Sequence, residues 1–141
     1  MIYEECFEKG QLRKAHIEKE DVFNQIKIAE NYLKKAKLVC NKETYDISFL
    51  TAYISIFHSA RALLFKKGYK ERSHYCLFEF IRNEFDDQEL ARIAEIGHNY
   101  RETRRLIQYE GSLCSEAMAK ECILDAEEFL KAAKKHCKVG G

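Results

Sequence analysis

The sequence predicts an all-α fold, an up-and-down bundle of four to five helices, on three observations. None of its 141 residues is proline and only six are glycine, so few positions break a helix. Long stretches rich in Ala, Leu, Glu and Lys repeat their apolar residues at three- and four-residue steps, the period of a helix face. The connections between them are short and polar, which makes neighbouring helices antiparallel. The chain is read as a single domain over 1–141, with its core from about 17 to 137 and an N-terminal arm over 1–16.

In order, Tyr3, Cys6, Phe7 and Leu12 around Gly10 suggest a short turn or helix lying across the body. From Lys19 to Cys40, Val22, Ile26, Ala29, Leu33 and Ala36 mark one face, with Glu20 and Asp21 at the start and Lys34, Lys35 and Lys37 at the end, as the helix dipole favours. Residues 41–44 are a turn. From Tyr45 to Lys67 almost no polar face remains, which predicts a central helix, closed by Gly68 in the left-handed conformation. Ser73 caps a shorter helix to Glu84, carrying Leu77, Phe78, Ile81 and Phe85 inward. Asp86 and Asp87 open a helix from about Gln88 to Tyr109, with Leu90, Ile93, Ile96, Tyr100 and Ile107 buried and Gly111 ending it. Ser112 is assigned the cap of the last helix, which runs to about His136 with Ala117, Met118, Leu124, Phe129, Leu130 and Ala133 inward. Gly140 and Gly141 are expected to fray.

A net charge of +1 creates no global field for a polyanion, so anion binding has to come from local clusters. The lysine clusters fall near helix C-termini, where they complement the dipole. Arg101, Arg104 and Arg105 lie inside a helix and need another reason. The six cysteines show no CxxC and no zinc spacing, and no secretory signal precedes them, so they are read as reduced thiols of a cytoplasmic protein. No apolar run long enough to span a membrane is read from the sequence, and no membrane partner, metal or cofactor is expected. Nucleotide-binding glycine loops, the GxSxG elbow and HExxH are absent.

Arg101-Glu-Thr-Arg-Arg-Leu-Ile-Gln-Tyr-Glu-Gly111 therefore stands out. Arg101 and Arg105 are i and i+4 with Tyr109 a further turn along the stripe, a set of guanidinium forks and a phenol that suits a phosphate. A solvated charged face is the plainer alternative. His58, set among Ile54, Phe57, Ala62 and Phe65 with Arg61 nearby, is expected to be buried or nearly so. Arg92 and His98, followed by Tyr100, spell Arg-x5-His-x-Tyr.

The run Tyr53-Ile-Ser-Ile-Phe-His58-Ser-Ala-Arg61-Ala-Leu-Leu-Phe-Lys-Lys-Gly68-Tyr, followed by Arg72-Ser73-His74, resembles the second helix and following turn of HEPN domains. These are small helical-bundle proteins often encoded beside minimal nucleotidyltransferases. The resemblance extends from about residue 7 to 136. It implies an Arg-x4-6-His motif near the end of the fourth helix, or the form Arg-x4-Tyr with a following glycine, to which Arg104, Tyr109 and Gly111 correspond. It further implies a symmetric homodimer, a nucleotidyltransferase partner in a toxin–antitoxin-like module, and RNA or a nucleotide as ligand. Active members are metal-independent endoribonucleases, in which the arginine holds the scissile phosphate and the histidine moves protons. Carried over, Arg104 and Tyr109 are the catalytic candidates, with Arg92 and His98 the alternative pair. Arg101, Arg104 and Arg105 are the phosphate-binding candidates, with Gln108 and His58 supporting. Because an unperturbed tyrosine has a pKa of about 10, Tyr109 in the histidine's place makes a poor base. The expected function is thus a weakly or non-catalytic binder of nucleotide or RNA phosphate. An active ribonuclease toxin and a purely structural dimerising module remain as alternatives.

Overall fold

The computed structural model describes residues 1–138, so the expected fraying of Gly140 and Gly141 lies outside the described residues. Six helices and one two-stranded ribbon make up the fold: α1 (Tyr3–Glu8), β1 (Leu12–Lys14), α2 (Lys19–Leu38), α3 (Tyr45–Lys66), β2 (Tyr69–Glu71), α4 (His74–Glu84), α5 (Gln88–Glu110) and α6 (Glu116–Cys137).

α3 is the centre of the bundle, and α2, α4, α5, α6 and β2 all pack against it. Phe49, Tyr53, Ile56, Leu63 and Leu64 are buried on its several faces, which is what a helix without a polar side requires. Small residues let α2 approach closely. Ser48 donates to the Ala36 carbonyl at 2.8 Å and Ser55 to the Ala29 carbonyl at 2.7 Å, so these hydroxyls are buried with partners. By length and composition α3 could also cross a membrane, with a mean hydropathy of 1.3. That corrects the reading that no apolar run is long enough. Because 61% of the stretch is buried inside the bundle, α3 is accounted for as a core helix.

The helix ends follow local chemistry. Ser73 accepts from the Cys76 amide and Asp87 from the Leu90 amide, capping α4 and α5. Gly111 closes α5 at φ 72°, left-handed backbone that an L side chain rarely adopts. The next residue departs from expectation. Ser112 donates its amide to the Leu106 carbonyl and so belongs to the closure of α5, while Ser115 caps α6 by accepting from the Met118 amide. The inward face of α6 differs accordingly. Ala119, Cys122, Ile123 and Ala126 are buried, whereas Ala117 and Leu124, one heptad apart, are exposed.

Two further features were not expected. β1 and β2 pair antiparallel with Leu12 opposite Glu71, and Leu12 is buried as the anchor of the arm. Three-residue strands are too short to show a period of two, so this ribbon left no pattern in the sequence. Cys6 and Cys76 form a disulfide with their Cα atoms 5.7 Å apart. This corrects the reading of six reduced thiols: α1 folds onto α4 and brings together two cysteines 70 residues apart. Cys40, Cys114, Cys122 and Cys137 are free.

Where α4 meets α5, Gly97 lies so close to Phe78 that an added Cβ would sit 2.4–2.9 Å from three atoms of its ring. Phe78 is fully buried and cannot swing into solvent. Gly97→Ala should therefore lower stability by roughly 1–3 kcal/mol through overpacking, despite the better helix propensity of alanine. Urea unfolding of the variant checks this, and unchanged or raised stability would show that the two helices separate without cost.

Candidate functional site

A cleft of about 250 Å³ opens between α3 and α5, with the start of α4 at its edge. Leu50, Tyr53, Ile54 and Phe57 give it apolar and aromatic walls, while His58, His74, Arg104 and Gln108 supply polar groups. The helical repeat places the contributors. Leu50, Ile54, Phe57 and His58 follow one stripe of α3, and Arg101, Arg104 and Gln108 follow one stripe of α5.

Arg104 holds its guanidinium 5.3 Å from the Tyr53 ring centre and 6.0 Å from that of Tyr109. Arg101 lies 5.6 Å from the Tyr75 ring centre. Both Nε atoms are buried and lack a hydrogen-bond partner, and neither arginine has a carboxylate partner among the described residues. Other arginines differ: Arg61 pairs with Glu71 at 2.9 Å, and Arg82 with Glu95 at 3.3 Å. A buried donor without an acceptor costs free energy comparable to a lost hydrogen bond. These Nε atoms are closed to solvent, so an oxyanion in the cleft would pair with the terminal nitrogens of the guanidinium instead.

The remaining sequence-derived candidates fall in different places. Arg105 points away from the cleft and pairs with Glu102 at 2.8 Å and Glu110 at 3.4 Å. The stripe through Arg101, Arg105 and Tyr109 is thus split, and the i, i+3 pair Arg101 and Arg104 shares the cleft side. Tyr109 is largely exposed yet lies within cation–π range of Arg104 rather than of Arg105. Gln108 and His58 both line the cleft. Arg92 and His98 are not brought together, since Arg92 pairs with Glu128 of α6 and His98 Nε2 meets Glu79 Oε2 of α4 at 2.7 Å. Six residues apart on a helix, their side chains diverge by about 120°.

Tyr53, His74, Tyr75 and Gln25 join the site without having been chosen from the sequence. Tyr53 and His74 stood within the stretch that resembles HEPN domains, but only the fold brings the Tyr53 hydroxyl 2.8 Å from His74 Nδ1. Phe57 stacks on His74 at 4.3 Å between ring centres. Burial, then Arg104, Arg101, Arg61 and His58, push the His74 imidazole down to about 4. Burial, then Arg61, does the same to His58, whose Nδ1 lies 2.6 Å from Gln25 Oε1. Burial raises the Tyr53 phenol, while Arg104 and Arg101 oppose that rise. At neutral pH the cleft therefore presents two fixed cations and two neutral imidazoles.

Other sites carry less chemistry. A larger cavity of about 520 Å³ lies between the start of α2 and the ends of α3 and α6, where Val22, Phe23 and Phe65 meet Lys19 and Lys66, without an arginine or histidine. Asp87, Glu89 and His136 place ligand atoms within 4.8 Å of one another. Asp87 is already engaged there, capping α5 through Oδ1 and facing His136 Nε2 at 3.4 Å through Oδ2.

With this geometry in view, comparison with known proteins decides the family. The HEPN domain matches residues 24–136. The chain belongs to the HEPN domain family. A relative from Methanocaldococcus jannaschii, named "Putative toxin MJ0605", is 29% identical over 125 residues, covering 85% of this chain and 91% of the relative. This HEPN chain is thus similar to a protein whose name points to a toxin. The match begins at residue 24, so α1 and β1 with the disulfide half Cys6 lie outside it.

The depressed histidine gives a test of anion binding. Burial is the largest cause of the low His74 pKa, and the Arg104 and Arg101 charges add to it. An anion beside these arginines offsets the second part and moves the pKa part of the way from about 4 toward 6.5. The complex then binds more protons than the free protein between those two values, so affinity rises as pH falls through that window. Sulfate keeps its charge over this range and is a suitable probe. Its stabilising effect on thermal unfolding should grow from neutral pH toward pH 5 in the wild type and not in His74→Asn. A pH-independent shift would remove His74 from the anion site.

Proposed function

We propose that this HEPN protein binds the phosphate of a nucleotide or RNA in the α3–α5 cleft through Arg101 and Arg104, with His74 beside them. The observation that carries this reading is that neither guanidinium, laid against the Tyr53 and Tyr75 rings at the cleft, has a carboxylate partner among the described residues. Guanidinium forks match phosphate oxygens in geometry and charge. The protein acts as a symmetric homodimer and with a nucleotidyltransferase-type partner in a toxin–antitoxin-like module. The M. jannaschii relative's name supports the toxin side of this reading. Leu106, Tyr109 and Leu113, exposed around the end of α5, offer apolar surface for the dimer contact.

Weak or absent catalysis fits the protonation of the cleft. General acid–base cleavage needs a donor and an acceptor poised near the working pH, and both cleft histidines are held well below it. A second reading is an active metal-independent endoribonuclease. Its support is that His74 places an imidazole in the cleft beside Arg104, where the Arg104–Tyr109 motif itself has none. Binding of the phosphate moves His74 in the direction that this chemistry requires.

Single-stranded RNA binding measured over a range of salt concentrations tests the first reading. Arg104→Ala should weaken binding and reduce the slope of log affinity against log salt by about 0.7, the value for one lost phosphate contact on a single strand. Arg105→Ala, already committed to Glu102 and Glu110, should change both much less. The absence of RNA, nucleotide and phosphate binding at low salt would leave a structural dimerising module instead. Incubation with RNA without divalent metal separates the readings further. Robust cleavage leaving cyclic-phosphate ends, lost in His74→Asn and in Arg104→Ala, would promote the ribonuclease, while sedimentation as a monomer at tens of micromolar would count against the dimer.

A further inference from the structure

The two neutral histidines of the cleft have opposite hydrogen-bonding polarity, because each is oriented by a different partner. Gln25 Oε1 is an acceptor only, so the His58 Nδ1 that meets it at 2.6 Å carries the ring proton. Nε2 of His58 is then a bare acceptor. At His74 the arrangement is reversed. A phenol is the better donor and an imidazole nitrogen the better acceptor, so Tyr53 donates to His74 Nδ1 across 2.8 Å. The ring proton of His74 is left on Nε2, a donor like the Arg104 guanidinium of the same cleft.

The geometry points to a nucleoside-reading site: His58, set by Gln25 as a positioning residue, accepts a hydrogen bond from an O–H or N–H of the nucleoside whose phosphate is held by Arg101, Arg104 and His74. This inference rests on the phosphate-binding reading above and goes further, to the part of the ligand that is not phosphate. Leu50 and Ile54 add apolar wall to the cleft that His58 and His74 line, against which a base can lie. The His58 ring itself is supported by Tyr32, stacked at 6.2 Å, and by Phe57, edge-on at 5.2 Å, so its acceptor is held in place. A cleft of about 250 Å³ is too small for paired RNA and has room for part of one unstacked nucleotide. In an internal RNA nucleotide, whose 3′ oxygen is esterified, two groups supply the donor chemistry, the ribose 2′-hydroxyl and an exocyclic base amine.

Equilibrium binding of four probes separates these sources: 3′-O-methyladenosine 5′-monophosphate, its 2′-deoxy form, the 3′-O-methyl purine riboside counterpart, which lacks the amine, and inorganic phosphate. In the wild type one of the two analogues should bind about fivefold more weakly than the adenosine compound, the worth of one hydrogen bond. That difference should vanish in His58→Phe. Nitrogen-15 spectra of the wild type should show His58 as the Nδ1–H tautomer, and Gln25→Leu should abolish that preference together with the analogue discrimination. Equal binding of all three nucleotides by the wild type, a difference that persists in His58→Phe, or an Nε2–H tautomer would each overturn the inference, even if His58→Phe itself folded poorly. Arg104-dependent phosphate binding would survive those results. If none of the four probes binds, the phosphate reading falls, and the inference with it.

Discussion

The structure depends on α3 being covered on all sides. A helix of 22 residues whose apolar side chains point in every direction is soluble only inside other elements, and this bundle supplies α2, α6, α4, α5 and β2 as its cover. The two sides of that cover are built differently. Towards α2 the contact uses Ala and Ser, and serine hydroxyls bond carbonyls of the neighbouring helix. Towards α4 and α5 it uses large aromatic residues, with Tyr53 and Phe49 fully buried. Small residues bring backbones close and leave no room, whereas aromatic rings hold helices apart and leave edges. The cleft lies on the aromatic side, bordered by Tyr53 and Phe57.

That difference explains how the cleft holds unpaired arginines. A guanidinium loses little when laid on an aromatic face, since the ring's quadrupole replaces part of its hydration. Arg104 over Tyr53 and Arg101 over Tyr75 are therefore stabilised without carboxylates that would compete with a ligand. Arg105, one residue further round the helix, meets Glu102 and Glu110 and is neutralised. The same two charges help to keep His74 unprotonated. Ligand charge and histidine protonation are consequently coupled, and an oxyanion that satisfies the arginines also makes the imidazole easier to protonate.

Much of the fold was legible because local rules and burial agreed. Gly111 and Ser73 carry their own chemistry, and the apolar circumference of α3 has one explanation. The failures come where a residue has two plausible roles. Ser112 and Ser115 are both good caps, and the choice is made by the closing turn after Gly111, which uses the Ser112 amide. Leu124 is as apolar as its neighbours, but it shares a face with Ala117, and α6 buries the stripe through Cys122 and Ala126 instead. Cys6 and Cys76 meet through α1 and α4, a contact that spacing along the chain does not encode. For the site, the arginine run was visible as an excess of charge inside a helix. Which arginines turn inward depends on the acidic residues beside them, and Tyr53 and His74, 21 residues apart, meet only once α4 has docked.

The placement of the site also separates its chemistry from the load-carrying part of the helix that bears it. The first half of α5 is fixed by Gly97 against Phe78 and by Leu90, Ile93 and Ala94 in the core. Beyond Tyr100 only Ile107 of α5 is buried, so its last turns present Arg104 and Gln108 to the cleft, with Arg101 against Tyr75, under few packing obligations. Substitutions there perturb ligand contacts more than folding, whereas at Gly97 the reverse holds. Tyr109 follows from the same reasoning. Its ring contacts Arg104 yet remains largely exposed, so a partner or second subunit that covers the end of α5 also covers the guanidinium. Access to the Arg104 side of the cleft therefore depends on what covers Tyr109, through the Arg104–Tyr109 contact.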